Sequence, residues 1–255
     1  MHFRDEHKIV AIVQARMGSS RLPGKVLKNI QGKSLLEILI ERIRKSKFLS
    51  EIVVATTLNQ ADDAIVNHCI EKGIKVFRGM ENDVLNRYYE CAKEYNADII
   101  VRVTSDCPLV DFSVLDSVIE LFYRTESEYS ANTIPSSTSK FPDGSDVEVF
   151  SMEVLKYAND YAVKPEDREH VTFFFWQNNG VRIFKTSQID HHRDLSQYRY
   201  TIDYPEDFEV VSKIMYELKK ENKFGHLDQV VKILDDNPEI RNLNSKYYFG
   251  IGWEK

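Results

Sequence analysis

The chain has 255 residues, 42% of them hydrophobic and 29% charged, with only 10 Gly and 7 Pro. That excludes a disordered, collagenous or low-complexity protein, and the length suffices to bury a substantial core. With 34 Lys and Arg against 40 Asp and Glu the net charge is −6, which excludes a broad electrostatic grip on nucleic acid or an anionic membrane; an anionic ligand has to be held by a few local cations.

Ile9-Val-Ala-Ile-Val13 is a short, β-branched apolar run suited to a strand buried on both faces of a parallel sheet. A loop of Gly, Ser and Pro follows, and then Leu35, Leu36, Leu39, Ile40 and Ile43 recur at helical spacing within Ser34–Lys47. The alternation continues with strands at Glu51–Thr57, Ile74–Arg78 and Asp98–Val103 and helices at Ala61–Lys72, Asp83–Tyr95 and Ser113–Tyr123. Such alternation predicts an α/β fold, an open parallel sheet with right-handed crossovers and helices on both faces. Ligands of these sheets bind at the carboxyl ends of the strands, beside a switch in strand order.

After about Ser130 the rhythm changes. Residues 134–146 are rich in Ser, Pro and Gly and read as loop, Val147–Phe150 as a short strand, and Ser151 as the cap of a helix ending near Tyr161. Residues 130–190 are therefore expected to form an inserted lobe within a single domain spanning 1–255. A helix at Glu166–Asn178 with the aromatic run Phe173–Trp176, favoured as core or dimer interface, and a strand at Val181–Lys185 complete it, and Tyr198–Asp203 is another strand. Pro205-Glu-Asp207 starts a helix running to Lys220, and 222–255 is expected to be a helical extension. Cys69, Cys91 and Cys107 are an odd, isolated set with no C-x-x-C pair, which argues against a zinc ribbon or a disulfide framework. With no signal-like or membrane-spanning apolar run, a cytoplasmic protein is expected.

The most informative stretch is Gln14-Ala-Arg-Met-Gly-Ser-Ser-Arg-Leu-Pro-Gly-Lys25. Directly after the first strand it offers backbone N–H groups around Gly18–Ser20 and three cations, Arg16, Arg21 and Lys25, a combination suited to a polyphosphate. Five residues rather than four separate Gly18 from Gly24, Val26 follows the Lys, and there is no G-x-G-x-x-G. A P-loop NTPase and a dinucleotide-binding dehydrogenase are thereby disfavoured.

This stretch resembles the signature A-R-x-x-S-x-R-L-P-G-K of CTP-dependent cytidylyltransferases that activate acidic sugars, the 3-deoxy-manno-octulosonate and acylneuraminate enzymes. Through Val10–Leu27 and on to about residue 215 the chain resembles the branch of spore-coat polysaccharide biosynthesis protein F; residues from about 222 carry none of the likeness. The resemblance implies a Rossmann-like, GT-A-like nucleotidyltransferase fold, a three-layer sandwich around a mixed, mostly parallel sheet. It also implies that Arg16, Arg21 and Lys25 bind the triphosphate and that Arg87 lies next to the nucleoside; Ala15, Gly18, Ser19, Thr56, Arg78 and Thr104 are further nucleotide-binding candidates.

Asp106, just past Ile99–Val103, and Asp203, just before a helix, are strand-end carboxylates that either cap turns or share Mg²⁺. Ser105-Asp-Cys-Pro108 and Ile202-Asp-Tyr-Pro-Glu-Asp207 match the family segments that supply metal-binding acids, so the resemblance implies the second. Thr56, Arg78 and Arg87 are placed to read a base or ribose, or else Arg78 and Arg87 pair with Glu81 or Glu90. Acceptor-binding candidates are Asp143, Asp146 and Glu148 after the Pro142 turn, with Arg168 and His170; His170 falls where the family keeps an acceptor-contacting His. His191-His192 reads as exposed loop.

The expected function is transfer of CMP from CTP to an acidic acceptor, a nonulosonic-type sugar acid, with release of pyrophosphate, by a Mg²⁺-dependent homodimer. A nucleotide-sugar glycosyltransferase of similar fold is the first rival, disfavoured because Ser105-Asp-Cys-Pro108 lacks a D-x-D. A non-catalytic nucleotide-binding protein is the second.

Overall fold

A computed structural model describes residues 7–177, 182–248 and 251. The apolar run after the N-terminus forms strand β1 (Ile9–Gln14), every residue of which is buried except the terminal Gln14. β1 pairs in parallel with β4 (Glu51–Thr57) on one side and β6 (Ile99–Thr104) on the other, and β4 pairs in parallel with β5 (Lys75–Gly79). A small antiparallel ribbon, β2 (Asn29–Ile30) with β3 (Lys33–Ser34), lies between β1 and β4 in the chain.

The chain therefore builds outward from β1 to β5 and then returns to β6 on the opposite flank. That reversal opens a crevice at the carboxyl ends of β1 and β6, where open α/β sheets place their ligands.

The sheet continues beyond β6 in the order β5-β4-β1-β6-β8-β7-β9. β7 (Tyr129–Ala131) and β8 (Glu148–Ser151) are antiparallel to each other, β8 runs antiparallel to β6, and β9 (Thr186–Gln188) is parallel to β7. The sheet is thus mixed and mostly parallel. The segment expected as an insertion contributes three strands to it, because the alternating buried faces of β7 and β8 extend the apolar surface of β6.

Helices cover both faces. Helix α1 (Leu35–Ile43) begins with a reciprocal capping box, Ser34 Oγ accepting from the Glu37 N–H and Glu37 from the Ser34 N–H. It packs with α2 (Asp63–Glu71) and α4 (Phe112–Thr125) against Ala11, Val13 and Val101. The opposite face carries α3 (Val84–Glu94) and α5 (Met152–Tyr161), the latter capped by Ser151 as expected. The outer side of α1, through Leu35 and Ile38, buries against α8 (Pro205–Lys220) and α9 (Leu227–Asp236). Among the described residues no helix is long and apolar enough to cross a membrane.

Three local readings differ. The helix expected at Glu166–Asn178 is two short pieces, α6 (Pro165–His170) and α7 (Phe173–Trp176), because Val171 takes φ 61° and breaks the spiral; Asn178 lies outside the described residues. The strand expected at Val181–Lys185 falls at β9 instead, and Val181 too lies outside the described residues. Tyr198–Asp203 is extended but joins no ladder; it pairs only through a parallel bridge between Asp143 and Arg199. Gly144 makes that pairing possible, since a Cβ there, at φ +107°, would sit 2.3 Å from the Thr201 nitrogen.

Candidate active site

The loop after β1 is held by Asp62, a carboxylate 2% exposed that accepts from the Thr57 N–H and hydroxyl and, at 2.7 Å, from the Met17 N–H. The loop then folds on itself, the Ser19 and Gly24 N–H groups both donating to the Met17 carbonyl. Backbone N–H groups of Gly18, Ser20 and Arg21 have no protein partner among the described residues. Arg16 is exposed and makes no ion pair or hydrogen bond there. Gly24, at φ 65°, reverses the chain so that Lys25 opens a single 3-10 turn pointing back into the crevice.

Lys25 is the centre of the site. Its Nζ donates to the Ile202 carbonyl at 2.7 Å, to Asp203 Oδ1 at 3.0 Å and to Asp106 Oδ2 at 3.1 Å. The two acid-bearing segments are themselves joined by the Ile202 N–H donating to the Asp106 carbonyl at 2.8 Å. Burial pushes the Asp106 carboxyl up, but the Lys25 ammonium and hydrogen bonds from Thr104 and Lys25 outweigh it and hold the carboxyl at about 2. Burial lowers Lys25, and the charges of Asp106 and Asp203 more than reverse that. Two carboxylates and a carbonyl therefore converge on one cation position, a donor set of hard oxygens of the kind Mg²⁺ takes.

A cleft of about 400 Å³ extends from this cluster. The structure brings Arg16, Gly18, Ser19, Arg21, Lys25, Thr104, Asp106, Asp143, Asp146, Glu148, His170 and Asp203 to its walls. At one end Glu148 is paired with Arg102 and accepts from the Tyr129 hydroxyl at 2.6 Å. Asp146 takes only neutral donors, the Thr133 hydroxyl, the Gly144 N–H and the Cys107 thiol, and burial pushes its carboxyl up. Asp143 is pushed well up by burial and by the neighbouring Asp146 charge, despite its pairing with Arg199.

Five expected residues lie elsewhere. Ala15 is buried behind the loop, its N–H tied to the Ala55 carbonyl. Thr56 points into the interior with no exposed surface, because the neighbouring Thr57 is the residue that supports the loop through Asp62. Arg78 clamps the end of β4, donating to the Thr57 and Asn59 carbonyls and pairing with Asp63 at 2.6 Å, so neither Glu81 nor Glu90 is its partner. Arg87 is fully buried on α3 and donates to the Met80 and Glu81 carbonyls; it lines a second cavity, of about 460 Å³, with Arg78. Arg168 is a structural clamp, with two nitrogens on Asp83 Oδ2 at 2.9 and 2.7 Å and another on the Asn159 and Ala162 carbonyls.

Several cleft residues escape the sequence reading. Phe173 lines the cleft and stacks on His170, ring centroids 4.3 Å apart, whereas Phe174 and Phe175 enter the core as expected. Arg199 chelates Asp207 and contacts Asp203 Oδ2 at 3.3 Å. The signal was the period-two pattern of Tyr198–Asp203, in which Tyr198, Tyr200 and Ile202 are core and Arg199, Thr201 and Asp203 share the other face. Cys107 sits beneath Asp106, its thiol pushed well up by burial and by the Asp146 and Asp106 charges. All three cysteines are free and buried.

The comparisons agree with this geometry. A family model described as cytidylyltransferase matches residues 10–233. An uncharacterized protein of Methanocaldococcus jannaschii is 39% identical over 93% of this chain and 95% of its own length, and spore coat polysaccharide biosynthesis protein SpsF of Bacillus subtilis is 33% identical over 91% and 95%. A 3-deoxy-manno-octulosonate cytidylyltransferase of Trichlorobacter lovleyi is 26% identical over 94% of this chain and 91% of its own. A solved cytidylyltransferase from Leptospira borgpetersenii superposes with a TM-score of 0.83 at 36% identity, covering 92% of this chain and 98% of that one. The chain therefore belongs to the cytidylyltransferase family and is a nucleotidyltransferase.

Proposed function

We propose that the protein transfers CMP from CTP to an oxygen of an acidic sugar, of the nonulosonic-acid type, releasing pyrophosphate for polysaccharide biosynthesis. The observation that carries this reading is the Lys25 ammonium bound by both Asp106 and Asp203 at the foot of a loop whose Arg16 and three N–H groups are unengaged. A relative named as a 3-deoxy-manno-octulosonate cytidylyltransferase, whose name gives an eight-carbon sugar acid, supports an acidic sugar as acceptor.

In this reading Arg16, Arg21 and Lys25, with the N–H groups of Gly18 and Ser20, hold the β- and γ-phosphates and take up the charge that develops on departing pyrophosphate. Asp106 and Asp203 would hold Mg²⁺, which supplies charge neutralisation at the phosphates when bound. Lys25 then shifts from the carboxylates to the phosphate oxygens. The acceptor oxygen forms its bond to the α-phosphorus as the bond to the β-phosphate oxygen breaks, and the chain's contribution is positioning and electrostatics.

Thr104 and Ser19 line the nucleotide. Asp143, Asp146, Glu148 and His170 face acceptor hydroxyls or amines at the other end. Tyr161, Val163 and Ile183, which are 53, 87 and 79% exposed and belong to residues 130–190, support a homodimer formed through that lobe. Three reduced, buried thiols agree with a cytoplasmic location.

The test is a pyrophosphate-release screen of CTP, UTP, ATP and GTP against acidic sugars, including 3-deoxy-manno-octulosonate and its 8-amino analogue. Release confined to CTP with one such acceptor supports the reading, and release from CTP without any acceptor contradicts it.

A further inference from the structure

Residues 242–248 lie beyond the stretch that the family model matches, yet they reach the catalytic end of the cleft. Asp203 carries three cations: Lys25 at 3.0 Å and Arg21 at 3.3 Å on Oδ1, and Arg199 at 3.3 Å on Oδ2. Its direction is set by Asp207, a carboxylate with no exposed surface. Asp207 Oδ2 accepts from the backbone N–H groups of Asp203 and Tyr204, both at 2.9 Å, and Arg199 chelates both its oxygens at 3.1 and 3.0 Å. The remaining donor to Asp207 is Asn244, whose Nδ2 lies 2.8 Å from Oδ1 and 3.3 Å from the Arg199 carbonyl.

A second contact comes from Tyr247. Its ring stacks on Tyr204 with centroids 3.8 Å apart and planes inclined by 7°. Tyr204 in turn lies under the Arg21 guanidinium, 4.9 Å from ring centroid to Cζ, and its hydroxyl accepts from Arg21 Nη1 at 3.5 Å. The Tyr247 hydroxyl also donates to Glu206 at 3.1 Å, at the start of α8, while the stack itself is a contact between ring faces.

Arg21 is a long side chain on an exposed loop and loses rotamer freedom whenever it binds a phosphate; a ring held in place beneath it reduces that loss. A carboxylate whose backbone is tied at two N–H groups likewise presents its oxygens without rearrangement. We propose that residues 242–248 act as a strap that positions the Asp203 carboxylate through Asn244 and the Arg21 guanidinium through Tyr247. The proposal rests on the reading of Asp203 and Arg21 as metal and phosphate groups. Asn244 and Tyr247 are positioning residues and touch no reacting atom.

The experiment measures CTP affinity by titration calorimetry, with and without Mg²⁺, for the full chain and for Asn244→Ala, Tyr247→Ala and Tyr247→Phe, with thermal melts alongside. Loss of one charge-assisted contact predicts about tenfold weaker binding in each alanine variant. Asn244→Ala loses it only in Mg²⁺, because it acts on Asp203; Tyr247→Ala loses it in both conditions, because it acts on Arg21. Tyr247→Phe keeps the stack and restores affinity. Alanine variants that bind as the parent does, or a phenylalanine variant as weak as alanine, overturn the strap. If Asn244→Ala does not fold, the Tyr247 pair decides.

A ligand-free measurement separates this proposal from the CTP reading. Phenylglyoxal should modify Arg21 faster in Tyr247→Ala than in the parent or in Tyr247→Phe, as followed by peptide mass spectrometry. Equal rates overturn the strap, whereas a parent protein that binds no CTP overturns only the functional reading.

Discussion

Lys25 Nζ lies 3.1 Å from Asp106 Oδ2, so the cation we propose for a triphosphate neutralises the acid we propose for a metal. Its other carboxylate contact, Asp203 at 3.0 Å, makes the arrangement symmetrical. One ammonium keeps two carboxylates from repelling each other in a crevice where burial makes repulsion costly. In the proposed reaction Asp106 and Asp203 would hold the divalent ion, and Lys25 would turn from them to the phosphate oxygens.

Lys25→Ala therefore has two effects. Turnover should fall by about two to three orders of magnitude through loss of charge stabilisation at the phosphates. Stability should fall by about 2 kcal/mol because partly buried Asp106 loses its counter-ion and Asp203 keeps only Arg21 and Arg199. Mg²⁺ alone should recover more of the melting temperature in the variant than in the parent, since Asp106 then lacks its ammonium. Thermal melts across a Mg²⁺ series check this; a variant indifferent to Mg²⁺ contradicts the shared position.

The same pair shapes acid stability. Asp106 is held at about 2, below the ordinary carboxylate value. Its folded-state pKa is thus depressed, and its contribution is complete above the unfolded value near ~3.9 and is lost as pH falls through about 2. Because the side chain is 28% exposed, that contribution is about 1 kcal/mol after screening. Denaturant unfolding of the parent and of Asp106→Asn at pH 7, 4 and 2 should show a difference that persists to pH 4 and shrinks at pH 2. A difference already gone at pH 4 contradicts the Lys25 pairing.

How far the sequence spoke depended on whether a feature was local. The strands β1, β4 and β6 and the capped helices α1 and α5 are written in continuous apolar runs and in Ser34 and Ser151, signals that need no tertiary context. The loop cations were legible because they cluster in one stretch after β1, Asp106 because it follows β6, and Asp203 because a Pro-started helix follows it, although the segment before it joins no ladder. Arg78, Arg87 and Arg168 were not, since the same residue type serves a ligand or a backbone carbonyl, and only the fold reveals which carbonyls lie within reach. The break at Val171 was hidden for a related reason. Nothing in Arg168–Thr172 is a helix breaker by type, and its left-handed φ is imposed by burying Val171 beside Phe174 and Phe175.

Arg168 provides a direct contrast with the cations we propose as catalytic. Arg168→Ala should destabilise by about 3 kcal/mol, leaving Asp83 and two carbonyls without their donor, while KM for CTP and for the acceptor stay unchanged. Chemical denaturation with steady-state kinetics checks both halves. A raised acceptor KM with undiminished stability would return Arg168 to the acceptor site.

The three thiols should be chemically silent in the native protein. Burial pushes Cys69 up to about 12 and raises Cys91 and Cys107 as well, so none carries appreciable thiolate at pH 8. Iodoacetamide should label none of them until denaturant is added. Stoichiometric labelling of native Cys107 would contradict its burial beneath Asp106.

The most direct test of the whole account follows the phosphorus atom. CTP radiolabelled at the α-phosphate, incubated with Mg²⁺ and an acidic sugar acceptor identified in the screen, should pass its label to a CMP-sugar product with the parent protein, and Lys25→Ala and Asp106→Asn should transfer it at least about a hundredfold more slowly. Label transfer undiminished in either variant, or found equally from UTP, contradicts the assignment of Lys25, Asp106 and Asp203 as the centre of cytidylyl transfer.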